Sequence, residues 1–588
     1  MADLLSERVQ VASGGIDLSS APERVPNDRG LEVENLLVDR DGVLSMRGPI
    51  QEHSSSTIGS PHAITGIWTF NDSLLIGRTT PDATAFVDPW VAPYYKQVAA
   101  GLAEPDTTMK FVDSAGSVSN VASSQSNVIS GRGARLGSYV YGLAYSNSTD
   151  VTENGGTYHR RQVLRWGGTA ANTTAYANAP DGGQDVIAHL NRIWVLGGRD
   201  VPGGGTTIEM NSLYYSDYGG PTSDTTAMWQ NDTSGLTNKI VVDSDDQNDF
   251  GVGLAQLGQD LVIFKRRSIH VLYGYSDNTF TLRPLTKNLG CIDRRSIVEA
   301  EEGIYFMSLN GYMLFDGSTV HPVDGPVTTE LTAKALNACG DLGPGAANED
   351  RQGRVTAVAL PNSYILISTI LRDASSGTVV SNSGSAFLFH RPTGKWSRFS
   401  SPVFNGTVPS ELVRTQTHYY ACDGIYLTKL DTVTMPDALS PYLQPCEDAN
   451  YASYYAIDVN WWSRPLALGT PLYKAQLHRI LVDYKLIGEF ELDGANDDKI
   501  RLDIYDDTGT QLYGTTYLDP ITSQSAGEIE RARYVDDTFA EANAIQLRLS
   551  WGGYQNPSSA GIGVSELEFY DCYVEYSRAR QRRTVTSG

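Results

Sequence analysis

Seven times between residues 60 and 432 the chain repeats one short pattern: turn-forming residues, then a run of consecutive apolar or aromatic ones. The instances are Asn71-Asp72-Ser73-Leu74-Leu75-Ile76, Gly137-Ser138-Tyr139-Val140-Tyr141, Asn191-Arg192-Ile193-Trp194-Val195-Leu196 and Gly258-Gln259-Asp260-Leu261-Val262-Ile263-Phe264. Glu302-Gly303-Ile304-Tyr305-Phe306, Asn362-Ser363-Tyr364-Ile365-Leu366-Ile367 and Asp423-Gly424-Ile425-Tyr426-Leu427 complete the series. Successive side chains of a strand point to opposite faces, so Leu261-Val262-Ile263-Phe264 must be shielded from water on both. An inner strand between two neighbouring sheets meets that demand, and an edge strand does not. The first apolar residues of the runs stand 43 to 68 residues apart, close to the spacing of four-stranded propeller blades. Asn310-Gly311 and Asp316-Gly317 between apolar runs add hairpin signals. The expectation is an all-β fold, a β-propeller of about seven blades (six to eight), with one helical excursion over Val327–Ala338 that puts Leu331, Ala335 and Leu336 on one face.

Composition fits an extended β protein. The 588 residues hold 57 Gly, 26 Pro and 32 Tyr, and only 19% are charged. Asp and Glu outnumber Lys and Arg by 68 to 45, a net charge of −23. That excludes a protein gripping nucleic-acid phosphates over its whole surface, though not one that DNA slides past. Cys291, Cys339, Cys422, Cys446 and Cys572 lack metal-site spacing and read as reduced thiols, most of them small core hydrophobes. The first fifteen residues lack the basic-then-apolar order of a secretory signal, and no stretch is apolar enough for a membrane-spanning helix. The expectation is a soluble protein made in a reducing compartment, with no membrane insertion by this chain.

The two ends differ from the middle. Residues 1–50 carry turn formers and a short amphipathic segment, Leu31 to Val38. They read either as an extended N-terminal docking arm or as the first strand pair of the main domain. The propeller is expected over 51–432 and a Pro-punctuated junction over 433–453. An antiparallel β-sandwich follows over 454–577, where Ile500, Leu502 and Ile504, and again Ile545, Leu547, Leu549 and Trp551, alternate with polar residues. Residues 578–588 form a basic tail with Arg578, Arg580, Arg582 and Arg583, either a solvated terminus or a contact for an acidic partner or DNA.

Catalytic signatures are sparse. No phosphate loop, nucleophile elbow or zinc-protease helix is present. His62, His189, His270 and His321 sit near expected strand ends as structural histidines. Asp243 to Asp249 places oxygen side chains at alternate positions, but it lacks the turn Gly and the closing Glu of a calcium loop, so a solvated interblade loop is expected. Asp497-Asp498 and Asp506-Asp507-Thr508-Gly509 read as hairpin turns. A glycosidase propeller of sialidase type would repeat Ser-x-Asp-x-Gly-x-x-x-x-Trp. The nearest approach, Ser216-Asp217-Tyr218-Gly219 with Trp229, occurs once and at the wrong spacing. Tyr214, Tyr215 and Tyr218 could stack on a sugar if exposed, or serve blade packing. No catalytic, cofactor or metal residue is assigned, and no cofactor is expected.

The start, Gly14-Gly15-Ile16-Asp17-Leu18 followed by Asn35-Leu36-Leu37-Val38-Asp39-Arg40-Asp41-Gly42-Val43-Leu44-Ser45-Met46-Arg47-Gly48, resembles the opening of tail proteins of double-stranded DNA bacteriophages. Residues 211–219, 261–272 and 303–317 resemble the same proteins. The closest family is the tail nozzle, or packaged-DNA stabilisation, proteins of short-tailed phages, and the resemblance covers roughly residues 10 to 430. It implies a structural virion protein, not an enzyme. The implied assembly is a homohexamer below the portal and adaptor, neighbouring tail fibres or spikes, through which genomic DNA passes without sequence-specific contact. The implied location is the virion tail, after assembly in the bacterial host cytoplasm. On that reading Gly14, Gly15, Ile16, Leu18, Asn35, Leu36, Asp41, Gly42 and Arg47 form the assembly arm. Deleting residues 1–48 should then leave a folded chain that no longer joins tails. The rival readings are a carbohydrate-binding or carbohydrate-cleaving propeller at a tail tip, and an accessory tail protein of a long-tailed phage.

Overall fold

A computed structural model describes residues 4–10, 14–38, 43–54, 58, 63–79, 107–121, 127–153, 156–170, 173–200, 209–230, 236–243, 249–339, 351–373, 384–401, 403–404, 408–409, 411–422, 427–431, 433–434, 447–450, 453–468, 474–488, 500–506, 509–512, 516–518, 530–535, 541–552 and 564–578. Its framework is seven antiparallel four-stranded units, the blades of a β-propeller. Blade 1 is Ala63–Phe70, Ser73–Thr79, Thr107–Val112 and Val118–Asn120, and blade 2 is Asn127–Leu136, Tyr139–Glu153, Gly156–Trp166 and Thr173–Tyr176. Blade 3 runs Asp185–His189, Arg192–Leu196, Ser212–Tyr215 and Lys239–Val241; blade 4 runs Gly251–Leu257, Asp260–Lys265, Ile269–Tyr273 and Thr281–Thr286. Blade 5 is Val298–Ala300, Gly303–Ser308, Gly311–Phe315 and Val320–Pro322, and blade 6 is Arg351–Ala359, Tyr364–Asp373, Ser385–His390 and Lys395–Phe399. Blade 7 takes three strands from Glu411–Arg414, Tyr419–Cys422 and Leu427–Lys429, and its fourth, Gln51–Glu52, from the start of the chain. That borrowed strand closes the ring.

Six of the seven runs seen in the sequence are second strands of blades, the position flanked by strands on either side and by blades above and below. Leu261, Val262, Ile263 and Phe264 are all buried without residual exposure, each worth about 1.5–3 kcal/mol of transfer free energy. The seventh run is one strand out of register with this rule. Leu427 lies on the third strand of blade 7, the second being Tyr419–Cys422, and residues 423–426 lie outside the described set. Blade faces meet in apolar layers: Trp68, Val140 and Trp166 between blades 1 and 2, Phe264 and Phe306 between blades 4 and 5, Leu366, Leu388 and Ala421 between blades 6 and 7. The helix is Thr328–Cys339, between blades 5 and 6, with Leu331 and Ala335 buried; the Leu336 side chain lies outside the described set.

Beyond the propeller stand two further sheets. One orders Leu36–Val38, Leu44–Met46, Val564–Arg578, Ala475–Gly488 and Glu530–Val535 side by side. The other orders Glu32–Glu34, Asp458–Trp462, Ala544–Gly552, Ile500–Asp506 and Thr516–Leu518. The alternation holds: Ile500, Leu502, Ile504, Ile545, Leu547, Leu549 and Trp551 are buried. Asp503 departs from it, for it is buried too, ion-paired to Arg501 and accepting a hydrogen bond from Gln511.

The described part of the first fifty residues follows neither reading: it is not a free docking arm, and it does not form the first strand pair of the propeller. Its strands belong to the chain's own sandwich. Leu4–Gln10 pairs with Val564–Arg578, placing Val9 opposite Cys572. Glu32–Glu34 is inserted between Asp458–Trp462 and the outer strand of blade 6, and so welds the second sheet to the propeller. Leu36 and Leu44 are wholly buried, and burying such side chains is what an arm waiting for a partner could not do alone. The sandwich therefore comprises strands from both ends of the chain. In the expected junction, Glu447–Asn450 and Ser453–Ala456 form a hairpin, and residues 435–446 lie outside the described set.

Candidate functional site

The first strand of each blade faces the propeller axis, where among the described residues its outer edge has no strand partner except between blades 1 and 2. Unpaired backbone groups on such an edge are costly when buried. Several of these groups are met across blade boundaries, and other side-chain bonds tie the remaining boundaries. Blades 1 and 2 pair in parallel at Gly66 and Gly131. Asp185 of blade 3 takes the Leu254 N–H of blade 4 at 2.9 Å, and Glu299 of blade 5 takes the Gln256 N–H of blade 4 at 2.7 Å. Asp293, ahead of blade 5, accepts from the Val355 N–H of blade 6 at 3.0 Å. Thr356 accepts from the Leu412 N–H of blade 7, and Asp72 of blade 1 accepts from Thr415 and Thr417 of blade 7.

Asp185 is the hub of this ring. It has no exposed surface. Its carboxylate accepts from Arg132 of blade 2 at 2.9 Å and from Arg294 of the turn before blade 5 at 2.9 Å, besides the Leu254 amide. One side chain therefore ties four consecutive blades. Burial alone would push the Asp185 carboxyl up, but the charges of Arg132 and Arg294 outweigh it and hold it below the ordinary carboxylate range. Arg294 responds in the opposite sense. Burial, opposed by Asp185 and reinforced by repulsion from Arg161, Arg295 and Arg132, pushes its guanidinium down to about 9, still charged at neutral pH. Arg161, wholly buried, donates to the Gly183 carbonyl at 3.0 Å. Arg295 turns Nε to Glu411 of blade 7 at 3.4 Å.

Next to this network the axis opens into a cavity of about 380 Å³. Its lining residues include Arg132, Arg294, Arg295 and Arg414 with Glu299 and Glu411, and room is left by Gly66, Gly131, Gly133, Ala357 and Ala359. The volume suits a small ligand. It is far too small for a DNA duplex, whose major groove alone is about 12 Å wide. The lining holds no His, Cys, Tyr or Trp. Both carboxylates are engaged, Glu299 by the Gln256 amide and Glu411 by Arg295. Among the described residues no group of His, Cys, Asp and Glu could hold a metal ion.

The residues singled out by the N-terminal resemblance meet elsewhere, at the seam between blade 6 and the sandwich. Arg47 has no exposed surface. It donates to Asn35 Oδ1, to the Gly48 carbonyl and to the Ser400 carbonyl, each at 2.9 Å, and lies over the Phe399 ring at 5.0 Å. Asn35 in turn donates to the Asp458 carbonyl of the sandwich at 2.7 Å and accepts from the Ser400 N–H. Gly15 has φ +82°, and a Cβ there would stand 2.6 Å from the Trp396 carbonyl of blade 6. Ile16 donates to that same carbonyl, and Leu18 bonds to Pro326 and Thr329 at the start of the helix. Gly14 packs on Asp28 and Arg29, while Leu36 is core. Asp41, Gly42, Arg580, Arg582 and Arg583 lie outside the described residues, as does the side chain of Arg578.

Other sequence candidates separate from any common site. His189 and His270 are buried, His321 is half-exposed beside Asp316, and His62 lies outside the described residues. Of the three tyrosines considered for sugar stacking, Tyr214 and Tyr215 are buried in blade 3 and only Tyr218 is exposed; their run is a blade strand, which packs both faces. Trp229 is buried as well. Residues 244–248 of the acidic loop lie outside the described set, and Asp249 binds the Arg267 amide and Ser268. Cys291, Cys422 and Cys572 are free thiols in the core. The Arg132–Asp185–Arg294 hub was missed from sequence, since its members lie 53 and 109 residues apart and share no motif.

No protein-family model and no curated protein sequence matches the chain. Among solved structures, BamB from Moraxella catarrhalis is similar at 10% identity over 66% of this chain and 95% of its own, with a TM-score of 0.29. A glycoside hydrolase family 43 arabinoxylan arabinofuranohydrolase from Bacillus subtilis, solved with cellotetraose, is similar at 10% identity over 90% of this chain and 96% of its own, with a TM-score of 0.23. Likenesses this loose carry no functional argument.

Proposed function

We propose that the chain is a structural virion protein of tail-nozzle type, a ring subunit that retains and conducts packaged DNA below the portal and adaptor. The observation that carries this reading is the seam at Arg47. The residues that resemble the tail family, Gly15, Asn35, Arg47 and Gly48, are spent on locking the propeller to the sandwich, a use that makes one rigid building block and leaves no chemistry to perform. Two further features agree. The axial cavity cannot admit a duplex, so on this reading the DNA channel lies between copies, six in the expected assembly. The net charge of −23 would keep a sliding polyanion from sticking to the wall.

Electron microscopy of the parent particle with this chain located is the test. A sixfold ring at the tail exit supports the proposal; a threefold fibre position, or a place in a long tail, overturns it. The carbohydrate reading has one observation in its favour, two carboxylates lining one cavity, and both are already engaged. Binding on a glycan array, or reducing-sugar release that is lost in Glu299→Gln, would replace the nozzle reading with that one.

A further inference from the structure

The axial cavity has a property that a purely structural plug does not need. In a chain of net charge −23 its lining draws on four arginines and two glutamates: Arg132, Arg294, Arg295 and Arg414 with Glu299 and Glu411, Arg294 being turned into the core toward Asp185. Three of them are held by ion pairs, Arg132 and Arg294 by Asp185 and Arg295 by Glu411, and Arg414 lies over the Tyr419 ring at 5.5 Å, so limited side-chain freedom remains to be lost on binding. Ile67, Ile297, Val298 and Val358 complete the walls, and apolar walls strengthen a charge interaction relative to water. Access exists as well: Arg414 and Glu299 are exposed, and Arg132 keeps 37% of its side-chain surface.

We propose that this cavity binds a compact phosphate-type oxyanion, gripped by Arg132, Arg295 and Arg414. The planar guanidinium fork matches the oxygen geometry of such an anion and can bind it through two bonds at once. A bound anion would also offset the repulsion from Arg295 and Arg132 that adds to the effect of burial on Arg294. Glu299 opposes binding and sets a limit on affinity. This inference is independent of the nozzle reading, because it concerns the isolated chain and needs no ring.

The test is isothermal titration calorimetry on the full chain with inorganic phosphate, at constant ionic strength maintained with chloride, and in parallel with a 5′-mononucleotide. Saturable binding of phosphate alone identifies a free ion as the ligand; binding of both identifies a phosphomonoester; either result supports the site. Arg414→Gln, at an exposed position, should weaken binding roughly tenfold or more. Glu299→Gln retains an oxygen for the Gln256 amide, removes a charge, and should tighten binding several-fold. Thermal unfolding of both variants without anion should match the parent. No saturable heat with either probe, or equal affinity in the parent and both variants, would overturn the proposal.

Discussion

Replacing Asp185 by Asn keeps its shape and removes its charge. The Asn oxygen can still accept from the Leu254 amide, but its NH₂ then faces guanidinium donors that need acceptors. Arg294, with 3% of its side chain exposed, loses its counter-charge in a buried place. Breaking such a pair from one side costs about 3–5 kcal/mol, a large part of the stability of an ordinary domain. Urea unfolding followed by tryptophan fluorescence measures the loss. The sandwich and propeller need not unfold together, so hydrogen exchange of the segment 251–257 supplies a local readout. Adding Arg294→Met removes the stranded charge, and the double variant should be more stable than the sum of the single losses by about 1–3 kcal/mol. Acid behaviour provides a further check. The folded pKa of Asp185 is depressed, so its contribution is present above the unfolded value of about 3.9 and is lost as pH falls through the folded value. Asp185→Asn should flatten that part of the acid limb. A loss below about 1 kcal/mol, or additivity of the two substitutions within about 0.5 kcal/mol, would refute the hub.

Deleting residues 1–46 removes one edge strand, a hairpin and the strand joining two sheets, so the truncated chain should aggregate or lose its sandwich, as size-exclusion chromatography and circular dichroism would report. Arg47→Met should cost at least about 2 kcal/mol by leaving buried acceptors unmet, and limited proteolysis should then cut between propeller and sandwich sooner than in the parent. Gly15→Ala places a Cβ against the Trp396 carbonyl at φ +82° and should lower stability by more than about 1 kcal/mol, read as a lower Tm. Burial raises the Glu330 carboxyl, but bonds and charge from Arg398, Ser385 and Lys334 outweigh it and hold it at about 2. Its stabilising effect is therefore complete above the unfolded value of about 4.3 and is lost as pH falls through about 2; Glu330→Gln should cost about 1–3 kcal/mol at pH 7 and progressively less as the pH is lowered through that value.

The propeller was legible because burial on both faces leaves a mark in one short window. Leu74-Leu75-Ile76 and Ile304-Tyr305-Phe306 declare second strands with no reference to distant residues. Blade 7 was harder to place, for Tyr419-Tyr420-Ala421-Cys422 carries a weaker apolar signature than Ile425-Tyr426-Leu427 beside it, and its fourth strand is two residues, Gln51-Glu52, that pair with Lys429 and Thr428 from near the other end of the sequence. Short range also explains the ambiguity of the N-terminal segment. Leu36-Leu37-Val38 demands a cover, and nothing local says whether the same chain or a neighbour supplies it. Sandwich alternation was readable, yet the pairing of Leu4–Gln10 with Val564–Arg578 was not. The axial charges were invisible for a related reason: Arg132, Asp185 and Arg294 acquire their meaning only when blades 2, 3 and 5 converge.

That pairing of the extremities has a consequence for biosynthesis. At translation rates of about 5–20 residues per second, roughly 30–110 s pass between the emergence of Gln10 and that of its partner Asp571. Throughout that interval the nascent polypeptide carries orphan strands that nothing yet made can cover. Closure of the sandwich thus waits on the emergence of the segment around Asp571, and chaperone demand should be concentrated in the interval before it.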